Sequence, residues 1–137
     1  MSNEAAVVRR FVEEYQSTGD EAVALALLAP GFVDRSPFGP FPPNRDGVLA
    51  LFQMLRGGLS DLHAEIHDQL VDGDKVVTRK TFHGTHDGEL LGIPATGRTV
   101  AWDVIDIVRV RDGLMVEHWN VVDAYGLMAQ LGAIPVG

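Results

Sequence analysis

A carboxylate, an imidazole and a carboxamide stand at Asp106, His118 and Asn120, on either side of an Arg111-Asp112-Gly113 turn. Whether they meet depends on how that turn closes. A three-residue loop with Gly113 in the left-handed region pairs Val110 with Leu114. Counting inwards, Val108 then meets Val116, Asp106 meets His118, Val104 meets Asn120 and Trp102 meets Val122. A two-residue Asp-Gly loop shifts the pairing by one and separates Asp106 from the other two. The three-residue loop is the expectation, because it leaves one coherent even-numbered face that is apolar except for Asp106, His118 and Asn120.

Burying these three groups costs several kcal/mol unless they are paired. They read either as a polar cluster on the floor of an apolar pocket or as a self-satisfied buried network. On the first reading Asp106 is a general base, with its pKa raised by apolar surroundings. His118 holds or relays the proton, and Asn120 donates to a developing enolate or alkoxide oxygen. That set suits proton abstraction beside a carbonyl, leading to aldol closure, isomerisation or dehydration. Tyr15, Phe32, Phe38, Phe52, Leu55, Phe82, Trp102 and Val104 are candidate walls for a flat or apolar substrate, although helix and strand periodicity also fits them as ordinary core. Arg35 and Asp34, at the start of an apolar loop, either gate the pocket or pair with each other. His63, Glu65 and His67 share one strand side, which reads as a solvated face rather than a metal site. No metal and no cofactor are expected.

The elements that must position these groups follow from periodicity. Val8, Phe11, Val12 and Tyr15 recur at helical spacing within 4–17. A short helix over 21–29 is stopped by Pro30-Gly31, and 32–43, with four prolines and three phenylalanines, reads as an apolar loop. A third helix spans 45–57. The period then becomes two: Leu62, Ala64, Ile66, Asp68 and Leu70 share one face of a strand, and further strands follow at 75–86, 99–111 and 114–122. Asp123 caps a short last helix over 124–131. Three helices followed by an antiparallel meander make one α+β domain over 1–137. The odd face carries Ile105, Ile107, Met115, Trp119 and Val121, which reads as a homodimer interface or as surface covered by the terminal helix.

The chain has no cysteine, which excludes disulfides, thiolate metal sites and cysteine nucleophiles. A net charge of −8 with 11 scattered Lys and Arg argues against nucleic-acid binding. The start is acidic and periodic, unlike a signal peptide, and no apolar run is long enough for a membrane span. A cytoplasmic protein with a small apolar partner is expected.

The strings Gly-Thr-His-Asp-Gly-Glu at 84–89, Leu-Gly-Ile-Pro-Ala-Thr-Gly-Arg at 91–98, Ile-Asp-Ile-Val-Arg-Val-Arg-Asp-Gly at 105–113 and Glu-His-Trp-Asn-Val-Val-Asp at 117–123 carry a resemblance, to which Phe-Val-Asp at 32–34 adds. Over about 5–135 the chain resembles the SnoaL-like polyketide cyclase and ester cyclase family of the NTF2-like superfamily. The resemblance implies a cone-shaped, curved sheet with a pocket between it and the helices, usually in a dimer, and aldol ring closure without metal or cofactor. The family's acid/base is an aspartate in a His-Trp-Asp string, which here reads His118-Trp119-Asn120. An amide takes no proton at neutral pH, and the carboxylate stands instead at Asp106 on the facing strand. The family also commonly has histidine where this chain has Arg35. Two further readings use the same pocket: epoxide opening by water activated at Asp106, and a non-catalytic ligand-binding module.

Overall fold

The computed structural model describes residues 3–135. Helix α1 (Asn3–Phe11) runs into a π-helical turn (Val12–Gln16), and α2 (Glu21–Leu27) follows, capped by the Asp20 carboxylate on the Ala22 amide. Then come β1 (Leu28–Asp34), α3 (Arg45–Gly58), β2 (His63–Asp72), β3 (Lys75–Thr85), β4 (Thr99–Arg111), β5 (Leu114–Val122) and α4 (Ala124–Gln130). The helices pack on one face of a five-stranded sheet ordered β1-β5-β4-β3-β2. A ladder of rings ties the two layers together. Phe11, Tyr15, Phe52, Phe82 and Trp102 follow one another at centroid spacings of 5.1, 5.5, 6.0 and 5.3 Å. Among the described residues no helix is long and apolar enough to cross a membrane.

Strand β1 departs from the sequence reading. The segment expected to end a helix and begin a loop instead pairs with β5, and in parallel, so the sheet is not wholly antiparallel. The register breaks between Leu28 and Val33, where Pro30 and Gly31 face outwards. Proline donates no ladder bond, and an edge strand with an irregularity is where a sheet tolerates it. Leu28 and Phe32 still turn inwards, and Asp34 comes to lie beside His118.

The last hairpin also closes differently. Asp112 and Gly113 have φ of 53° and 76°, the two positive values of a two-residue turn, and Arg111 pairs with Leu114. Val110 therefore meets Met115, and Met115 is buried inside rather than on the outer face. An extra residue, Val116, then bulges out of the ladder, and the register resumes with Arg109 opposite Glu117. The bulge returns the even residues to one face, but Asp106 is opposite Asn120, with His118 on the diagonal. Hydrophobic alternation fixed the faces while the turn fixed the count, and the bulge reconciles the two. A second irregularity, between Ile66 and Asp68, turns Gln69 inwards and leaves Leu70 exposed. On the outer face Ile105 and Val121 are exposed, and Lys75 Nζ lies 5.2 Å from the Trp119 ring centre.

The end of α3 lies against the loop after β3. His86 is buried there, with Nδ1 facing Thr96 Oγ1 at 2.9 Å and Nε2 facing the Ile93 carbonyl at 3.2 Å. It holds the loop that brings Leu91 to the cavity. A Cβ on Gly58 would lie 2.7 Å from Leu90 Cβ and 3.0 Å from the Glu89 carbonyl oxygen, whereas one on Gly57 meets nothing within 4 Å. Gly58→Ala should lower stability by about 1–3 kcal/mol. Gly57→Ala should raise it by about 0.5–1 kcal/mol, because it removes a helix glycine without a clash. Denaturant unfolding of the two variants checks the contrast.

Candidate active site

Four strands each bring one charged group to the same place. Asp34 ends β1, Lys80 lies on the inward positions of β3 with Val76, Thr78 and Phe82, Asp106 is inward on β4, and His118 is inward on β5. Lys80 Nζ lies 2.5 Å from Asp106 Oδ2 and donates to Gln16 Oε1 at 2.8 Å. Asp106 Oδ1 is 2.7 Å from His118 Nε2, and His118 Nδ1 is 3.0 Å from Asp34 Oδ1. Asp34 Oδ1 also accepts from the Ser36 amide at 2.9 Å, which folds the chain back beneath β5.

The charge of His118 follows from this geometry. A neutral imidazole has one N–H, yet both ring nitrogens face carboxylate oxygens within hydrogen-bond distance. Both nitrogens donate, so the ring is an imidazolium between two carboxylates. Burial pushes its pKa down, but the bonds to Asp106 and then Asp34 more than offset this and raise it to about 9. Asp106 contradicts the expectation of a raised pKa. Burial does push its carboxyl up, but the charge of Lys80, followed by the contact with His118, outweighs it and holds the group at about 2. Lys80, Asp106, His118 and Asp34 thus form a line of alternating charge, positive, negative, positive, negative, buried at Lys80 and Asp106 and partly buried at His118 and Asp34.

This line forms one side of a cavity of about 560 Å³ between the sheet and the helices. Phe32, Phe38, Phe52, Leu55, Phe82, Trp102 and Val104, all picked out in the sequence, line it. Asn120 lines it too, and its carboxamide has no hydrogen-bond partner among the described residues; only its backbone amide is engaged, by Ser36 Oγ at 3.2 Å. Two sequence candidates do not reach the lining. Tyr15 is buried behind it against Phe11 and Phe52, where burial pushes its phenol pKa up. Arg35 is exposed and donates to Glu117 Oε2 at 2.8 Å on the surface, because β1 ends one residue earlier with Asp34 turned inwards. Sequence reasoning missed Lys80 and left Asp34 undecided. The signal for Lys80 was present, since it shares the even positions of an alternating strand with Val76 and Phe82. The signal for Asp34 was absent, because the parallel pairing of β1 is not written in local spacing.

The two perturbed groups set a pH dependence of stability. His118 is raised above its ordinary 6.5, so its contribution is complete below that pH and lost as pH rises through about 9. Asp106 is depressed below its ordinary 3.8, so its contribution is complete above that pH and lost as pH falls through about 2. Denaturant midpoints should therefore show a loss on the alkaline side near pH 9 that is absent from His118→Gln. At neutral pH, Lys80→Met should cost about 3–5 kcal/mol, the usual penalty for leaving one member of a buried pair alone.

Known proteins share both the sequence and the fold of this chain. The sequence model of the family described as SnoaL-like polyketide cyclase matches residues 6–131. The aklanonic acid methyl ester cyclase DnrD of Streptomyces peucetius is 31% identical over 137 residues, covering 96% of this chain and 92% of that protein. The aklanonic acid methyl ester cyclase DauD of Streptomyces sp. (strain C5) is also 31% identical, covering 96% and 83%. Among solved structures, TsrD from Streptomyces laurentii superposes with a TM-score of 0.86 at 32% identity, covering 96% of each chain. The curved sheet with its helical layer is thus the fold seen in TsrD, and the chain belongs to the SnoaL-like polyketide cyclase family.

Proposed function

We propose that the chain is a cyclase that closes a ring in a polyketide-like carbonyl compound by intramolecular aldol addition, with Asp106 as base, His118 as acid and Asn120 as donor to the reacting oxygen. The observation that carries this reading is the 2.7 Å contact between Asp106 and an imidazolium, set in a cavity whose other walls are largely apolar. The relatives named as aklanonic acid methyl ester cyclases support the reaction class.

The steps balance with these groups alone. Asp106 takes a proton from carbon next to a carbonyl, leaving an enolate. The enolate carbon attacks a second carbonyl carbon of the same molecule, a C–C bond forms, and the C=O pair moves onto oxygen. The Asn120 carboxamide donates to that oxygen as charge develops. Protonated Asp106 holds His118 less strongly, so the Nε2–H turns to the new alkoxide and protonates it. The proton on Asp106 then crosses the same contact to the neutral ring and restores the starting state. A carboxylate held at about 2 is a weak base. The reading therefore favours carbon acids activated by two carbonyls, the 1,3-relationship that recurs along a polyketide chain.

Mixing the protein with a panel of polyketide-like ketones and following products by mass spectrometry tests this. Asp106→Asn should lower kcat/KM at least about 100-fold with its circular dichroism unchanged. The wild-type rate should be level from about pH 4 to 8 and fall as His118 loses its proton near pH 9. Saturable binding with no turnover by either protein would favour a ligand-binding module instead.

A further inference from the structure

Lys80 carries a charge that the reaction steps above leave unbalanced. Its ammonium has three N–H donors. Asp106 Oδ2 and Gln16 Oε1 take two of them. The third has no hydrogen-bond acceptor among the described residues; the Phe82 ring lies 5.1 Å from Nζ, and Lys80 itself lines the cavity. The residue is 3% exposed, so water does little to stabilise it. Gln16 is neutral, which leaves Asp106 as its one counter-charge in contact among the described residues.

That counter-charge disappears when Asp106 takes a proton. A buried ammonium without an anion is costly unless a new negative charge forms within reach. The position of Lys80 in the line of charges reinforces this. It is the positive end, while Asp34, the negative end, lies at the entry to the Ser36–Phe38 stretch of the wall. The local field therefore favours an anionic oxygen beside Lys80 and disfavours one beside Asp34.

We propose that Lys80 is an anion-binding group of the cavity, whose third N–H donates to the enolate or phenolate oxygen of the ligand, so that the preferred ligands are acidic enols and phenols. This rests on the proposed aldol reading for its catalytic meaning, in which the negative charge leaving Asp106 reappears on an oxygen already beside the ammonium. Lys80 and Asn120 then divide the work, Lys80 holding the oxygen of the enolate and Asn120 the oxygen of the carbonyl under attack.

The test is the acidity of a bound coloured phenol, which needs no turnover. 4-Nitro-1-naphthol is titrated with pH in the presence of saturating protein, and its phenolate is read by absorbance. Burial in an apolar cavity alone raises a phenol pKa, whereas a cation in contact lowers it by about 1–3 units. The bound probe should ionise at least about one unit below the free probe with wild-type protein, and above it with Lys80→Met. If Lys80→Met does not fold, Asp106→Asn supplies the second arm. It keeps Lys80 but removes the competing carboxylate, and should bind the phenolate about tenfold more tightly than wild type. A bound probe that ionises less readily than the free one, a lowered pKa that survives in Lys80→Met, an Asp106→Asn protein that binds the phenolate no more tightly than wild type, or no saturable binding by wild type would each overturn the proposal. A Lys80-dependent shift without any cyclisation would leave the anion site standing and remove only the aldol reading.

Discussion

The buried contact between Lys80 and Asp106 is the interaction on which the rest of the site depends. Left alone at 3% and 4% exposure, either charge would cost several kcal/mol. Lys80 keeps Asp106 ionised, ionised Asp106 keeps His118 protonated, and protonated His118 engages Asp34 through its other nitrogen. The order of causation runs along the line, so a change at Lys80 is felt at Asp34 on the far strand. Such a network is costly unless every member is satisfied. Here the members arrive from β1, β3, β4 and β5, so folding the sheet and charging the site are one event.

The surroundings give these charges their effect. The cavity is walled by side chains such as Phe32, Phe52, Phe82, Trp102 and Val104, which exclude water and lower the local dielectric. The ring ladder from Phe11 to Trp102 keeps the helices at a fixed height above the sheet, so the cavity persists instead of collapsing. Two irregularities in the sheet serve the site directly. The bulge at Val116 lets a tight two-residue turn coexist with an inward His118 and Asn120, and the break in β1 absorbs Pro30 before Asp34 is presented.

Local pattern made much of this legible, and tertiary pairing accounts for what it hid. Period-two alternation placed β2 to β5 and the inward face of Asp106, His118 and Asn120. The Asp112-Gly113 turn is visible in the sequence, but the bulge that follows it is not; alternation alone therefore pairs Asp106 with His118, where the structure has Asn120, and puts Met115 on the outer face, where the structure buries it. Strand β1 was invisible because Pro30-Gly31 looks like a stop, and its ladder partner lies more than eighty residues away in sequence. Tyr15 fits both a wall and ordinary core in sequence, because helical spacing tells which side faces the core, not which core residues border a void. The sign of the Asp106 shift is the reverse of what apolar surroundings imply, because the Lys80 ammonium stands inside them.

His118 is an imidazolium held between two carboxylates at neutral pH. Nitrogen NMR of protein labelled at histidine reads this directly. Both ring nitrogens of His118 should report attached protons at pH 7, with a titration midpoint near 9. The same midpoint should move down towards the ordinary 6.5 in Asp106→Asn. A His118 ring that carries a single proton at pH 7, titrating at or below 6.5, would contradict the account and with it the line of alternating charge.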